Sequence, residues 1–92
     1  MLETLIDNPV GRRFELATAG GTAFIAYRRS GTTLMLDHAE VPAALGGRGL
    51  GTRLVRETLE LIRSRGERMV PVCPFIRLFV ERHAEYADLC LS

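Results

Sequence analysis

Cys73, His38 and Glu40 are the side chains best suited, by type and place, to acyl or proton chemistry. Cys73 stands before Pro74, and proline fits the first turn of a helix, where its missing N–H costs nothing. A thiol at a helix start has a lowered pKa and can act as nucleophile or proton donor. The competing reading is a buried core cysteine, because free cysteine behaves as a small hydrophobe. His38 and Glu40 lie two apart in a β-rich run, so the pleat places them on one face with Leu34 and Leu36. Either is a candidate general base for an attacking amine, reached directly or through one water. Their bland alternatives are a structural histidine and a solvated strand-end carboxylate. His83, Glu85 and Tyr86 follow a second helical stretch, where the helix dipole alone favours a histidine. The Phe75, Phe79, Val80 cluster reads as core, and Cys90 as a small apolar residue.

A second kind of chemistry belongs to the backbone. Gly46-Gly47-Arg48-Gly49-Leu50-Gly51-Thr52 stands between a β-rich run and a helical one. Glycines let a main chain approach a phosphate, and a helix start offers unpaired N–H groups with a favourable dipole. Thr52 adds a hydroxyl, and Arg48 and Arg53 add charge. A flexible loop closed by a glycine cap is the other reading. The lysine of a P-loop is absent, and the dinucleotide GxGxxG spacing is not met.

The elements that must position these groups follow from pattern. Residues 14–18 and 23–29 are β-rich runs joined through Ala19-Gly20-Gly21-Thr22, a hairpin whose glycines supply positive φ. Ser30-Gly31 turns into a third run, Thr32 to Val41. Thr52 to Arg65 carries an apolar stripe of Leu54, Val55, Thr58, Leu61 and Ile62 at helical spacing. Arg53/Glu57 and Arg56/Glu60 stand at i,i+4 on its other side, and Gly66 closes it. Arg68 to Cys73 is a short strand in which Pro71 implies an edge or a break in pairing. Phe75 to His83 is a second helix. The expected fold is α/β (α+β): three antiparallel strands, then helix, strand and helix. A crossover through the first helix sets the last strand parallel to the third. Two strand-to-helix turns then meet at one edge of the sheet, where ligands of such sheets bind.

Composition bounds the rest. The 92 residues make one domain, 47% hydrophobic and 25% charged, as in ordinary globular proteins. A net charge of +1 argues against bulk nucleic-acid binding. All 12 basic residues are Arg, so no Lys can form a Schiff base. Two cysteines without metal-type spacing imply neither a metal site nor a disulfide framework. No apolar run is long enough to cross a bilayer, and the acidic start, with Glu3 and Asp7, is unlike a signal peptide. A cytoplasmic location is expected.

With these residues in order, the chain resembles the GNAT acyltransferases, and in particular their short single-domain YjdJ-type branch. The matches are His38-Ala39-Glu40-Val41-Pro42, Arg48-Gly49-Leu50-Gly51, Cys73-Pro74-Phe75 and His83-Ala84-Glu85-Tyr86, with Asn8-Pro9 and Arg13-Phe14-Glu15 fitting as well. There are two departures. Gly46 stands where the motif usually has Arg or Gln, and Ala84 stands where proline is usual. The resemblance implies a minimal GNAT fold, acetyl-coenzyme A as cofactor and an amine acceptor. It implies cofactor contacts at Val41, Gly47, Arg48, Gly49, Leu50, Gly51, Thr52, Cys73, Pro74, Phe75, His83 and Tyr86. Cys73, Glu40 and His38 are the implied catalytic groups. The chain looks too short for the extra helices and strands that help build the acceptor site in a full GNAT fold. A coenzyme A or acyl-CoA binding module without turnover therefore stands as the alternative, and an unrelated anion-binding protein as a weaker one.

Overall fold

A computed structural model describes residues 4–45 and 49–91. Gly46, Gly47 and Arg48, expected in the phosphate-holding turn, lie outside the described residues. Five strands form one sheet in the order β1 (Leu5–Asn8), β2 (Arg13–Thr18), β3 (Gly21–Ser30), β4 (Thr33–Glu40) and β5 (Arg68–Pro71). Neighbours are antiparallel except β4 and β5, which are parallel and joined through helix α1 (Leu50–Ser64). Helix α2 (Pro74–Arg82) follows β5. Short 3-10 turns occupy Ala43–Leu45 and Ala84–Leu89.

The expected meander, crossover and parallel final strand are all present. The sheet also has a strand that sequence pattern left out. β1 pairs Leu5 with Leu16 and Asn8 with Arg13, then reverses through a turn in which the Gly11 N–H donates to Asn8 Oδ1 (3.0 Å). The β2–β3 hairpin closes at Thr18↔Gly21, with Gly21 at φ 140°. A Cβ on Gly21 would stand 2.9 Å from Pro42 Cγ, so the hairpin tip packs directly on the segment leaving β4.

Alternation decides which face is covered. Phe14, Leu16, Ala23, Ile25, Tyr27, Leu34, Leu36 and Met69 are buried on one face, where period-two spacing puts them. Both helices bury their stripes in the same cluster: Leu54, Val55, Thr58, Leu59 and Ile62 from α1, and Ile76, Phe79 and Val80 from α2. Leu59 is thus a full member of the α1 stripe, whereas Leu61 is only partly buried. The opposite face carries no helix among the described residues. It presents half-buried Phe24, Met35 and Val70 among paired charged side chains, Arg13–Glu15 along β2 and Arg28–Asp37 between β3 and β4. The fold is therefore a two-layer sandwich with one bare sheet face.

The tail closes the far edge. Cys90 bridges Met69 in parallel, and the Leu91 N–H donates to the Met69 carbonyl (2.9 Å). Arg63 holds this tail by donating to both oxygens of Asp88 and to the Glu85 carbonyl. The Arg53–Glu57 pair forms as spacing predicts. Glu60 instead accepts a hydrogen bond from Tyr86 (2.6 Å), and Arg56 lies over the Phe79 ring. No helix among the described residues is long and apolar enough to cross a membrane.

Candidate functional site

The end of β4, the start of α1, the end of β5 and the start of α2 meet at one edge of the sheet. α1 begins at Leu50, two residues earlier than its periodicity suggested, so Leu50, Gly51 and Thr52 form its first turn. Gly49 caps it in the left-handed conformation (φ 70°), and its carbonyl accepts the Arg53 N–H (3.0 Å). Among the described residues no side chain caps this end, and a Cβ on Gly49 would meet nothing within 4 Å. Glycine is needed there for its φ, and the space above it is open. Gly51 is needed for closeness. A Cβ there would lie 3.2 Å from Phe75 Cζ and 3.6 Å from Val41 Cγ2, so this glycine locks α1 against α2 and the exit of β4.

The two parallel strands part beside this turn. Their ladder ends at Leu36↔Pro71, and the Cys73 N–H donates to the Leu36 carbonyl (2.9 Å) as the last link. Val72 has already turned aside, donating to the Val70 carbonyl (3.0 Å), which is the break that Pro71 implied. β4 runs on to Glu40, paired among the described residues with β3 alone. Cys73 is the N-cap of α2, 5% exposed, with Pro74 in the first turn as expected.

One expectation is overturned. His38 and Glu40 do not share a face with Leu34 and Leu36. The β3–β4 register shifts between Ala26 and Tyr27: Tyr27 opposes Leu36 and Ala26 opposes His38, leaving Asp37 as an extra residue. This β-bulge resets the alternation, so His38 and Glu40 stand on the bare face beside Phe24 while Leu34 and Leu36 stay in the core. Arg28 grips the bulged Asp37 through two hydrogen bonds (2.7 and 2.9 Å), holding the Asp37 carboxyl below its ordinary range. His38 Nε2 lies 3.3 Å from Glu40 Oε1, and both side chains are more than half exposed. Cys73 belongs to the helix-side core, so the sheet separates it from this pair.

His83 ends α2. It stacks on Phe79 (centroids 4.0 Å apart), and its Nδ1 lies 2.8 Å from the Phe79 carbonyl. A carbonyl only accepts, so Nδ1 carries the proton and Nε2 faces away from this bond. Thr52, Phe75, Leu78, Phe79, Arg82 and His83 surround a depression of about 100 Å³. Leu78 and Arg82 were not among the sequence candidates. Phe75, Leu78 and Arg82 recur at i, i+3 and i+7 on the exposed side of α2, and that stripe was the available signal. Tyr86 is buried. Its hydroxyl is held by Glu60, ten residues beyond Leu50 and so about 15 Å along the helix. Burial first, and then this bond, raise its pKa. Among the described residues no group of three or more His, Cys, Asp or Glu could hold a metal ion.

A family model described as GCN5-related N-acetyl-transferase matches residues 13–89. A search of curated proteins finds no match. Among solved structures, the chain superposes on a GCN5-like candidate N-acetyltransferase of Staphylococcus aureus, determined by NMR in solution. The TM-score is 0.72 at 24% identity, over 97% of this chain and 88% of the other.

Proposed function

Because the chain belongs to the GCN5-related N-acetyl-transferase family, we propose that it transfers the acetyl group of acetyl-coenzyme A to an amine. The observation that carries this reading is the parting of β4 and β5 beside an uncapped helix start. The first-turn N–H groups of α1 and the open space above Gly49 suit a pyrophosphate. In the sequence Gly47 and Arg48 precede this turn, and Arg48 and Thr52 assist it. The edge of β4 beyond Leu36 suits an extended chain with amide groups, which would lie along it past Val41 towards Pro74 and Phe75. His83 borders the same turn across the small depression. The cofactor supplies an acetyl group activated as a thioester.

The remaining tasks fall to the protein. Glu40 or His38, exposed on the bare face, removes the proton that an ammonium must shed before attack. The Cys73 thiol, on the helix side, donates a proton to the departing sulfur, or takes the acetyl group itself in a two-step relay. Donor and acceptor thus approach the gap from opposite faces of the sheet.

A second reading is a coenzyme A binding module without turnover. It is favoured by one observation: Cys73 is almost fully buried while Glu40 and His38 stand in open solvent, on the other side of the sheet. Calorimetry with acetyl-coenzyme A, followed by thiol release in the presence of amines and basic peptides, decides between them. Saturable binding with release above background supports the transferase. Tight binding without release supports the module, and no binding at millimolar ligand overturns both.

A further inference from the structure

At the opposite end of the sheet is a cavity of about 420 Å³, lined by Pro9, Arg12, Tyr27, Arg28 and Arg29. It lies beyond the start of β2, where the Tyr27 N–H donates to the Arg12 carbonyl (2.9 Å) and β3 continues as Arg28–Ser30 with only β4 beside it. Arg29 is tied here to Glu67, three residues beyond the end of α1 and next to the start of β5. The length of α1, about 22 Å, separates this pole from the glycine turn.

We propose that this cavity binds a small organic anion through a carboxylate or phosphate head. Three observations carry the assignment. Among the described residues, the ionisable groups lining the cavity are three guanidiniums and a phenol, with no carboxylate. Two of the guanidiniums are fixed in advance: Asp37 holds Arg28 through Nε and one terminal nitrogen, and Glu67 and the Gly31 carbonyl hold Arg29. Their side chains lose little further freedom when an oxyanion arrives, and Arg28 keeps a terminal nitrogen to offer.

The third observation is Arg12. Among the described residues its side chain has no hydrogen-bond or ion-pair partner. It also adopts φ 56°, the one non-glycine residue in the left-handed region among them. Its N–H donates to the Pro9 carbonyl (3.3 Å) and its own carbonyl accepts from Tyr27, so the turn is pinned at both ends. Glycine would fit this backbone better, and backbone held against preference gathers where a site needs a particular side chain. The cavity is in the size range of small-molecule sites. Pro9 and Tyr27 give it apolar walls for the body of a ligand, while the guanidinium fork suits a carboxylate or phosphate.

The test is a titration of the full chain at fixed ionic strength with succinate, with glycerol phosphate and with neutral succinamide. The Nε–H resonances of Arg12 and Arg28 are followed by NMR. Saturable shifts with one of the anions, and none with succinamide, are expected, and the responding anion names the head group. Arg12→Gly should weaken that binding about 10- to 100-fold, while its unfolding midpoint stays level or rises because glycine accepts the left-handed turn. No saturable shift at millimolar anion overturns the assignment, as does an Arg12→Gly variant that is folded and binds equally well. Neither outcome depends on acetyl transfer.

Discussion

Tyr27 offers a severe check on the interior of this fold. It is 5% exposed, and its hydroxyl donates to Asp7 Oδ1 (2.6 Å), whose other oxygen accepts from Arg65 (2.8 Å). Burial, then the bond to Asp7, push its pKa from 10.0 up to about 12, with Arg29 pulling the other way. The folded protein therefore holds this proton more tightly than the unfolded chain does. The resulting stability is fully present below pH 10 and is lost as pH rises from 10 through 12. A shift of two units corresponds to about 2.7 kcal/mol, a large part of the roughly 5–15 kcal/mol that holds a small domain. Tyr27→Phe should cost about 1–3 kcal/mol at pH 7, because Asp7 loses a donor in a confined site. In a domain of this size that is about 4–8 °C of midpoint per kcal/mol. The variant should also lose much of the alkaline slope between pH 10 and 12, with Tyr86, raised as well, retaining the rest. Thermal melts by circular dichroism across pH 8–12 measure the slope. Absorbance near 295 nm counts phenolates cleanly, since the chain has two Tyr and no Trp. Both phenols titrating near pH 10 in the folded protein, or parallel alkaline losses in wild type and Tyr27→Phe, would refute the reasoning.

Gly49→Ala should cost about 1–2 kcal/mol from backbone conformation alone, since φ is 70° and the new methyl meets nothing. Gly49→Asn should cost less, and urea midpoints that rank the two the other way would contradict this. Gly21→Ala combines φ 140° with a Cβ 2.9 Å from Pro42 Cγ, so its loss should exceed that of Gly49→Ala, on the order of 2 kcal/mol or more. Equal urea midpoints for these two variants would argue against the Gly21–Pro42 contact. If Cys73 relays the acetyl group, intact mass after mixing with acetyl-coenzyme A should show one acetyl adduct that Cys73→Ser abolishes. An adduct that survives the substitution excludes the relay at this thiol.

Much of the fold was legible because alternation and helical spacing each had enough residues to act on. Phe14/Leu16, Ala23/Ile25/Tyr27 and Leu34/Leu36 fix three strands and the face they bury. β1 escaped because four residues, Leu5–Asn8, carry one partly buried leucine and an exposed Ile6, too little for a period. The bulge at Asp37 escaped for a different reason. Nothing in the run Leu36-Asp37-His38 marks an extra residue, and it becomes visible only in the pairing with Ala26 and Tyr27. Counting by twos therefore puts His38 and Glu40 on the wrong face. Helical spacing starts α1 two residues late because Gly51 opposes helix by propensity. Its packing against Phe75 and Val41 overrides that preference. The meeting of two strand-to-helix turns at one edge was foreseeable from topology, whereas the arginine cavity at the other end depends on the β1–β2 turn that sequence pattern did not reveal.

The ion pairs that join separate elements of this fold are made by guanidiniums: Arg28 to Asp37 between β3 and β4, Arg29 of β3 to Glu67 before β5, Arg63 of α1 to Asp88 in the tail, and Arg65 at the end of α1 to Asp7 of β1. Lysine would have made comparable pairs at some of these places, yet the chain contains none. A guanidinium stays protonated at any physiological pH and is a poor nucleophile, whereas a lysine amine is readily acetylated. Beside the acetyl donor of the proposed reaction, such cross-links are ones the donor would not erode. Acetyl-lysine raised in any reaction mixture must then come from the acceptor rather than from the protein itself.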